Sequence, residues 1–332
     1  MSSNNNIDKT INVDSTTVPT STTPPQVKNK MLSWIGPANR YLVAGAFAGI
    51  VSRTLTAPLE RLKILNQIQP LMNSGTKYNN IIPGLRTIWI EEGIRGLFKG
   101  NLANVIKAAP QSAIRFSSYE FFKGILIKED NSTSSSSTTV KLSSHKLWAG
   151  ACAGVTSVVA TYPLEVVKTQ LSVQIHGDRY RGIIGTLATV VKENGVAGLF
   201  RGMSAGILNV APFSALNFFA YETCKDVTGY MTGQPKIAVS WSVVHGAISG
   251  AFAMTVLYPL DVVKRRLMMQ GYNNTPIVYR NFLHTIYRMV KDEGVSSLYL
   301  GIKPAYLKVI PTVSINFFTF EGILYLLDNN NK

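Results

Sequence analysis

The sequence predicts an all-α, membrane-embedded protein built from three copies of one two-helix unit, each copy roughly 100 residues long. Three observations lead there. First, the motif Pro58-Leu59-Glu60-Arg61-Leu62-Lys63 returns as Pro163-Leu164-Glu165-Val166-Val167-Lys168 and as Pro259-Leu260-Asp261-Val262-Val263-Lys264. Second, landmarks on both sides of it keep the same register in every copy. Third, each copy holds two apolar stretches long enough to cross about 30 Å of hydrocarbon at about 1.5 Å per residue.

The elements follow in order. Residues 1–37 are rich in Ser, Thr, Asn and Pro and read as a disordered tail. The three copies span 38–128, 145–235 and 236–327, with a Ser/Thr-rich linker at 129–144 and a tail at 328–332. A Gly-x-x-x-Gly pair precedes each motif proline: Gly45/Gly49, Gly150/Gly154 and Gly246/Gly250. Such pairs let helices approach closely. A tyrosine follows each motif (Tyr78, Tyr180, Tyr279). Next come Glu92-Gly93…Phe98-Lys99-Gly100, Asn194-Gly195…Phe200-Arg201-Gly202 and Glu293-Gly294…Tyr299-Leu300-Gly301. A second proline (Pro110, Pro212, Pro311) and an aromatic-acid pair (Tyr119-Glu120, Tyr221-Glu222, Phe320-Glu321) close each copy. Each copy therefore reads as an apolar helix, a polar stretch with a short helix, and a second apolar helix. A proline inside every long helix suits a membrane bundle, where neighbours or a water-filled cavity satisfy the freed backbone groups.

Composition narrows the function. The formal net charge is +15, which fits an anionic membrane surface, anionic small molecules or nucleic acid. The basic residues are spread through apolar helices without a recognition motif, which argues against nucleic acid. Two cysteines and four scattered histidines give neither a disulfide framework nor a metal site. Phosphate-binding loops, nucleophile elbows and dinucleotide fingerprints are lacking, so neither an enzyme nor a bound cofactor is expected.

The three motifs resemble the mitochondrial carrier family, whose pattern is Pro-x-acid-x-x-base, then acid-Gly, four residues, aromatic-base-Gly. The resemblance covers residues 40–327, with two departures: Asn194 stands for the acid of copy two and Leu300 for the base of copy three. It implies six transmembrane helices in threefold pseudosymmetry around a central cavity, with short helices on the matrix side. It also implies both termini in the intermembrane space, alternating access, and a monomer in the mitochondrial inner membrane. Lipids, cardiolipin among them, would meet the helix starts after Gly100, Gly202 and Gly301 and near the three tyrosines.

Acid and base in each motif are three residues apart, on nearly one helix face. They make a matrix gate of Glu60, Lys63, Glu165, Lys168, Asp261 and Lys264. Threefold symmetry is expected to pair each base with the next copy's acid: Lys63 with Glu165, Lys168 with Asp261, Lys264 with Glu60. Gln170 and Arg266 are expected to brace this ring from beneath, a role Leu65 cannot fill. A second, cytoplasmic gate comprises Tyr119, Glu120, Lys123, Tyr221, Glu222, Lys225 and Glu321. Copy three carries Leu324 where the base belongs, so this gate closes with two bridges, Lys123–Glu222 and Lys225–Glu321.

Polar residues that break the symmetry point to the substrate. Seven residues beyond the glycine that opens each even helix stand Lys107, Asn209 and Lys308; further on come Arg115, Asn217 and Asn316. Arg53 corresponds to Val158 and Met254 in the other copies. In the family the first triplet corresponds to the main substrate contacts. Arg53, Lys107, Arg115 and Lys308 are expected to be unpaired, and all are positive, which predicts an anion with several charges. The residues around them look like the branch that carries adenine nucleotides and coenzyme A. Asn209-Val210 departs from that branch's glycine-aliphatic pair and puts an amide where an adenine ring would slot. Exchange of a nucleotide or coenzyme A-like anion therefore stands first. Another phosphorylated or carboxylated metabolite, such as thiamine pyrophosphate, or a proton leak without metabolite exchange, stands second.

Overall fold

The computed structural model describes residues 37–72, 77–130, 138–175, 180–232, 239–272 and 278–329; most of the two expected tails lies outside them. Among these residues every regular element is helical. Copy one contains α1 (Pro37–Leu55), α2 (Ala57–Ile68), α3 (Ile81–Leu97) and α4 (Asn101–Asp130). Copy two contains α5 (Thr138–Val173), α6 (Gly182–Asn194) and α7 (Met203–Thr232), and copy three α8 (Val239–Met268), α9 (Phe282–Glu293) and α10 (Ile302–Asn329). The linker is shorter than 129–144: α4 runs to Asp130 and α5 already begins at Thr138.

The motif prolines act differently in the three copies. At Pro58 the odd helix breaks, and its two parts meet at 54°. Thr56, the break residue, donates both its amide and its hydroxyl to Ser52 O. Pro163 and Pro259 sit inside continuous helices. Among the described residues four helices are long and apolar enough to cross a membrane, and the bent α1–α2 pair makes a fifth if it counts as one span. The remaining even helix, α4, has the length but carries Lys107, Arg115, Glu120 and Lys123. Its polarity belongs to the inner face of a bundle, where charged side chains find partners or water.

The long helices form a closed ring: α4 packs on α5, α7 on α8, and α10 returns to α1. The packed core lies at one end. There α2 and the C-terminal halves of α5 and α8 converge, burying Leu62, Ile64, Val166, Val167, Val262 and Val263. The short helices α3, α6 and α9 close this end, with Ile88, Val190 and Met289 buried at equivalent positions. Away from that end the long helices bury few large side chains. Large apolar side chains such as Phe116, Phe219 and Phe318 are exposed. Such a surface requires a lipid environment.

Two packing details refine the sequence reading. The Gly-x-x-x-Gly pairs are not the contact line as expected: a Cβ on Gly45, Gly150 or Gly246 would meet nothing within 4 Å. The residues one position earlier are buried instead: Ala44/Ala48, Ala149/Ala153 and His245/Ser249. Close approach through a glycine occurs at Gly154, where a Cβ would stand 2.5 Å from Val210 Cγ1. The glycines that open the even helices are indispensable in another way. Gly100, Gly202 and Gly301 have φ of 81°, 77° and 81°. A Cβ on each would lie 2.9 Å from the carbonyl of Lys168, Lys264 and Lys63 respectively. Each even helix thus starts against the neighbouring copy's motif helix, where only glycine fits.

Candidate functional site

The three motif acids and bases meet where the odd helices converge, and they form a complete ring. Its direction is the reverse of the expected one. Lys63 pairs with Asp261 at 2.7 Å, Lys168 with Glu60 at 2.8 Å and Lys264 with Glu165 at 3.5 Å. Each base reaches the preceding copy's acid in cyclic order. The spacing of three puts both groups on one face, but the handedness of the helix array selects the neighbour.

Different side chains brace the ring from those expected. Arg266 turns away and makes a two-pronged ion pair with Glu293 at the end of α9, and its Nε donates to Gln67 O. Gln170 is buried, yet its Oε1 has no partner among the described residues. The brace is Gln67, whose amide donates to Asp261 Oδ2 at 3.1 Å and to the Tyr258 hydroxyl at 3.2 Å. Gln67 lies on the same helix face as the ring residues, four beyond Lys63, which is the signal that finds it. Tyr258 and Tyr162, each just before a motif proline, place their rings under Lys63 and Lys264 at 5.4 and 5.6 Å. Their hydroxyls donate to Leu300 O and Arg201 O, tying ring to even helix. Copy one has Ala57 at that position and lacks this tie.

The departures from the repeat are matched in charge. Copy one links its short helix through buried Arg61 and Glu92 at 2.7 Å, and copy three through Arg266 and Glu293. Copy two has neutral groups on both sides, Gln170 and Asn194. Lys99 and Arg201 cap the neighbouring odd helix by donating to carbonyls at its C-terminus, Gln174 O and Ile175 O for one, Gln270 O for the other. Leu300 cannot do so, and Arg266 Nε covers that end of copy one instead.

The symmetry-breaking cations stand on the cavity floor, and two of them are not free as expected. Lys107 forms an ion pair with Glu165, and Lys308 with Glu60 at 2.6 Å. Burial explains this: a lysine beside a carboxylate in a partly desolvated cleft gains more from pairing than from facing the cavity alone. Asn209 occupies the third equivalent place and lines a hollow of about 170 Å³ with Lys63, Phe213 and Asp261. A neighbouring hollow of about 230 Å³ contains Arg115, Asn209, Val210 and Lys264. Arg53 is half-buried and donates to Gly49 O at 3.0 Å. Asn217 Oδ1 lies 3.9 Å from where a Gly250 Cβ would stand, and Asn316 sits on α10, exposed.

The residues expected to form the second gate are not joined to one another between helices. Glu120 pairs with Lys123 and Glu222 with Lys225, both at 3.3 Å within one helix. The expected bridges Lys123–Glu222 and Lys225–Glu321 do not occur among the described residues, whose acids and bases pair within their own helices instead. Lys123 also lies over the Tyr119 ring at 5.9 Å, Tyr221 meets the His245 ring at 6.1 Å, and Glu321 is exposed. The arrangement is a funnel, with a closed ionic plug at the short-helix end and access from the other.

The comparisons agree with this architecture. The family model described as mitochondrial carrier protein matches residues 36–130, 141–231 and 237–331. The chain is 50% identical over 294 residues to mitochondrial substrate carrier family protein A of Dictyostelium discoideum, covering 86% of this chain and 84% of the relative. It is 38% identical over 304 residues to the mitochondrial adenine nucleotide transporter ADNT1 of Arabidopsis thaliana, covering 85% of each. With mitochondrial carrier protein CoAc2 of Zea mays it shares 31% identity over 299 residues, covering 86% of each. A threefold repeat, a six-helix ring and a closed ionic plug thus converge with those matches: the chain belongs to the mitochondrial carrier family, whose members are multi-pass mitochondrial transporters and not enzymes.

Proposed function

We propose that this carrier exchanges a metabolite bearing several negative charges, of the adenine nucleotide or coenzyme A type, across the mitochondrial inner membrane by alternating access. The observation that carries the proposal is the engagement of Lys107 and Lys308 with the plug carboxylates Glu165 and Glu60. An anion entering the funnel competes for these two lysines. Its phosphates draw them off the carboxylates, and the plug is weakened at the moment the substrate is seated. Substrate binding energy is thereby spent on opening, which couples transport to occupancy. Arg53 and Arg115 extend the positive surface toward the open end. That end corresponds to the intermembrane space in this reading, and the second gate closes it in turn.

The Arabidopsis and maize relatives bear names of adenine nucleotide and coenzyme A type, which supports the substrate class. Asn209 favours a second candidate. Val210 is turned into the helix contact at Gly154, and Asn209 narrows the hollow beside Phe213. A smaller pyrophosphate-bearing cofactor such as thiamine pyrophosphate accepts an amide there more readily than an adenine ring does. The decisive experiment is exchange in liposomes loaded with ADP, ATP, coenzyme A or thiamine pyrophosphate. Exchange of at least one of them supports the proposal. Proton conductance without exchange of any anion overturns it in favour of a leak.

A lipid role belongs to the same reading. The starts of α7 and α9 line one hollow of about 640 Å³, with Arg201, Ser204, Arg280, Asn281 and His284 at its wall. Two helix N-termini and two arginines suit a lipid phosphate such as that of cardiolipin. Thermal stabilisation by cardiolipin but not by phosphatidylcholine is the expected result.

A further inference from the structure

The plug has three seams, one between each pair of copies, built from equivalent positions but not from equivalent residues. Where copy two meets copy three, the residue before the motif proline is Tyr162. The first and fourth residues of the even helix are Met203 and Gly206, and the residue four beyond the ring lysine is Met268. Where copy three meets copy one, the same positions hold Tyr258, Ile302, Ala305 and Gln67. In both seams the tyrosine ring lies beside the ring lysine and its hydroxyl donates to a carbonyl just before the even helix. Where copy one meets copy two, the set is Ala57, Asn101, Asn104 and Ser172. One large aromatic side chain is gone, and three small polar ones have come in.

This exchange leaves a hollow of about 10 Å³, bordered by Ala57, Glu60, Asn101, Asn104, Lys168 and Ser172. Two groups beside it lack the partners that burial demands. Asn101 Oδ1 is buried and accepts no bond among the described residues, while Nδ2 of the same amide donates to Thr54 Oγ1 at 3.0 Å. Lys168 is 5% exposed. Its ammonium group has several N–H donors, and among the described residues its one ion pair is with Glu60 Oε1 at 2.8 Å. Lys63 and Lys264 each have a tyrosine ring besides their carboxylate. The Ser172 hydroxyl stands 2.8 Å from Lys168 O and 3.3 Å from Lys99 O, the carbonyl equivalent to those that the tyrosines reach.

The chemistry around the hollow selects its occupant. The orphan on Asn101 is an acceptor, so the occupant must donate. The spare N–H groups of Lys168 require that it also accept. Arg61 and Lys99 border the hollow too, and so many positive charges repel a metal cation. An uncharged occupant that both donates and accepts, and needs only about 10–15 Å³, is a water molecule. We infer that this hollow is a binding site for one water, which accepts from Lys168 Nζ and donates to Asn101 Oδ1, with the Glu60 carboxylate as acceptor for its second proton. The water does for the first seam what a tyrosine does for the other two. It makes Lys168–Glu60 the hydrated bond of the ring, whichever anion is carried.

The test joins a crystal structure of the full chain, at a resolution that shows ordered water, to a cycle of thermal melts. One density peak within hydrogen-bond distance of both Asn101 Oδ1 and Lys168 Nζ is expected. An unfilled hollow, or one closed by a shifted side chain, overturns the inference. Ala57→Tyr with Ser172→Met gives the first seam the tyrosine and methionine of the second, and is expected to displace the water. Asn101→Met is then compared in the unaltered chain and in that background. It removes the bond to Thr54 in both, so the water appears as the difference between the two losses. The loss of melting temperature is expected to be larger by about 3 °C where Ala57 and Ser172 remain. Equal losses overturn the inference. Where the tyrosine variant does not fold, the density alone decides.

Discussion

Glu165 is held by three cations, Glu60 by two lysines, and Asp261 by one lysine and the Gln67 amide. The uneven distribution makes residue-level outcomes separable. Removing Lys107 or Lys308 leaves each carboxylate a ring partner, so Lys107→Ala and Lys308→Ala are expected to fold with little loss of melting temperature. Their exchange rates are expected to fall by at least about tenfold, because each lysine in this reading binds the substrate directly. Arg61 behaves oppositely. Its guanidinium is fully buried, pairs with Glu92 and donates to Ser172 O, Gln174 O and Gly96 O. Arg61→Ala is expected to cost about 3–5 kcal/mol, read as a lower denaturation midpoint, since buried acceptors are stranded.

At the scale of elements, each even helix starts on a glycine packed against the neighbouring copy and carries near its end the motif expected to form the second gate. Gly301→Ala places a methyl 2.9 Å from Lys63 O on a backbone with φ of 81°. A loss of about 1–3 kcal/mol is expected from the strained conformation, measurable as a fall in melting temperature. In α10 the gate motif ends in Leu324 rather than a base. Leu324→Lys supplies a partner for Glu120, adding a third bridge when the open ends close. The closed form of that gate is then expected to gain population, seen as weaker binding of an inhibitor specific for the funnel-open state and slower exchange. Unchanged inhibitor affinity and rate would remove the missing base from the account of gating.

At the scale of the whole molecule, the direction of the ring can be tested by charge exchange. Lys63→Asp alone is expected to abolish exchange, and Asp261→Lys in the same chain to restore part of it. Combining Lys63→Asp with Glu165→Lys is expected to restore none, because those groups are not partners here. Much of this ring was legible in the sequence. Acid and base lie three residues apart within one helix, and local spacing of that kind survives any tertiary arrangement. Gln67 and Arg265, the third cation on Glu165, lie just beyond the repeated motif and have no like residue in the other copies, so the repeat does not single them out. The pairing of Lys107 with Glu165 was not legible, since the two lie 58 residues apart on separate helices.

By itself the sequence determined that three copies form three hairpins, that six charges gather at the motif prolines, and that the cations breaking the repeat stand near them. Each of these depends on helical periodicity and on the near-identity of the copies. Only the tertiary structure decided which neighbour each lysine reaches, which glutamine braces the ring, and which gate is closed. Those outcomes depend on the handedness of the helix ring and on the rotation of each helix about its axis, both set by the packing of all six helices together.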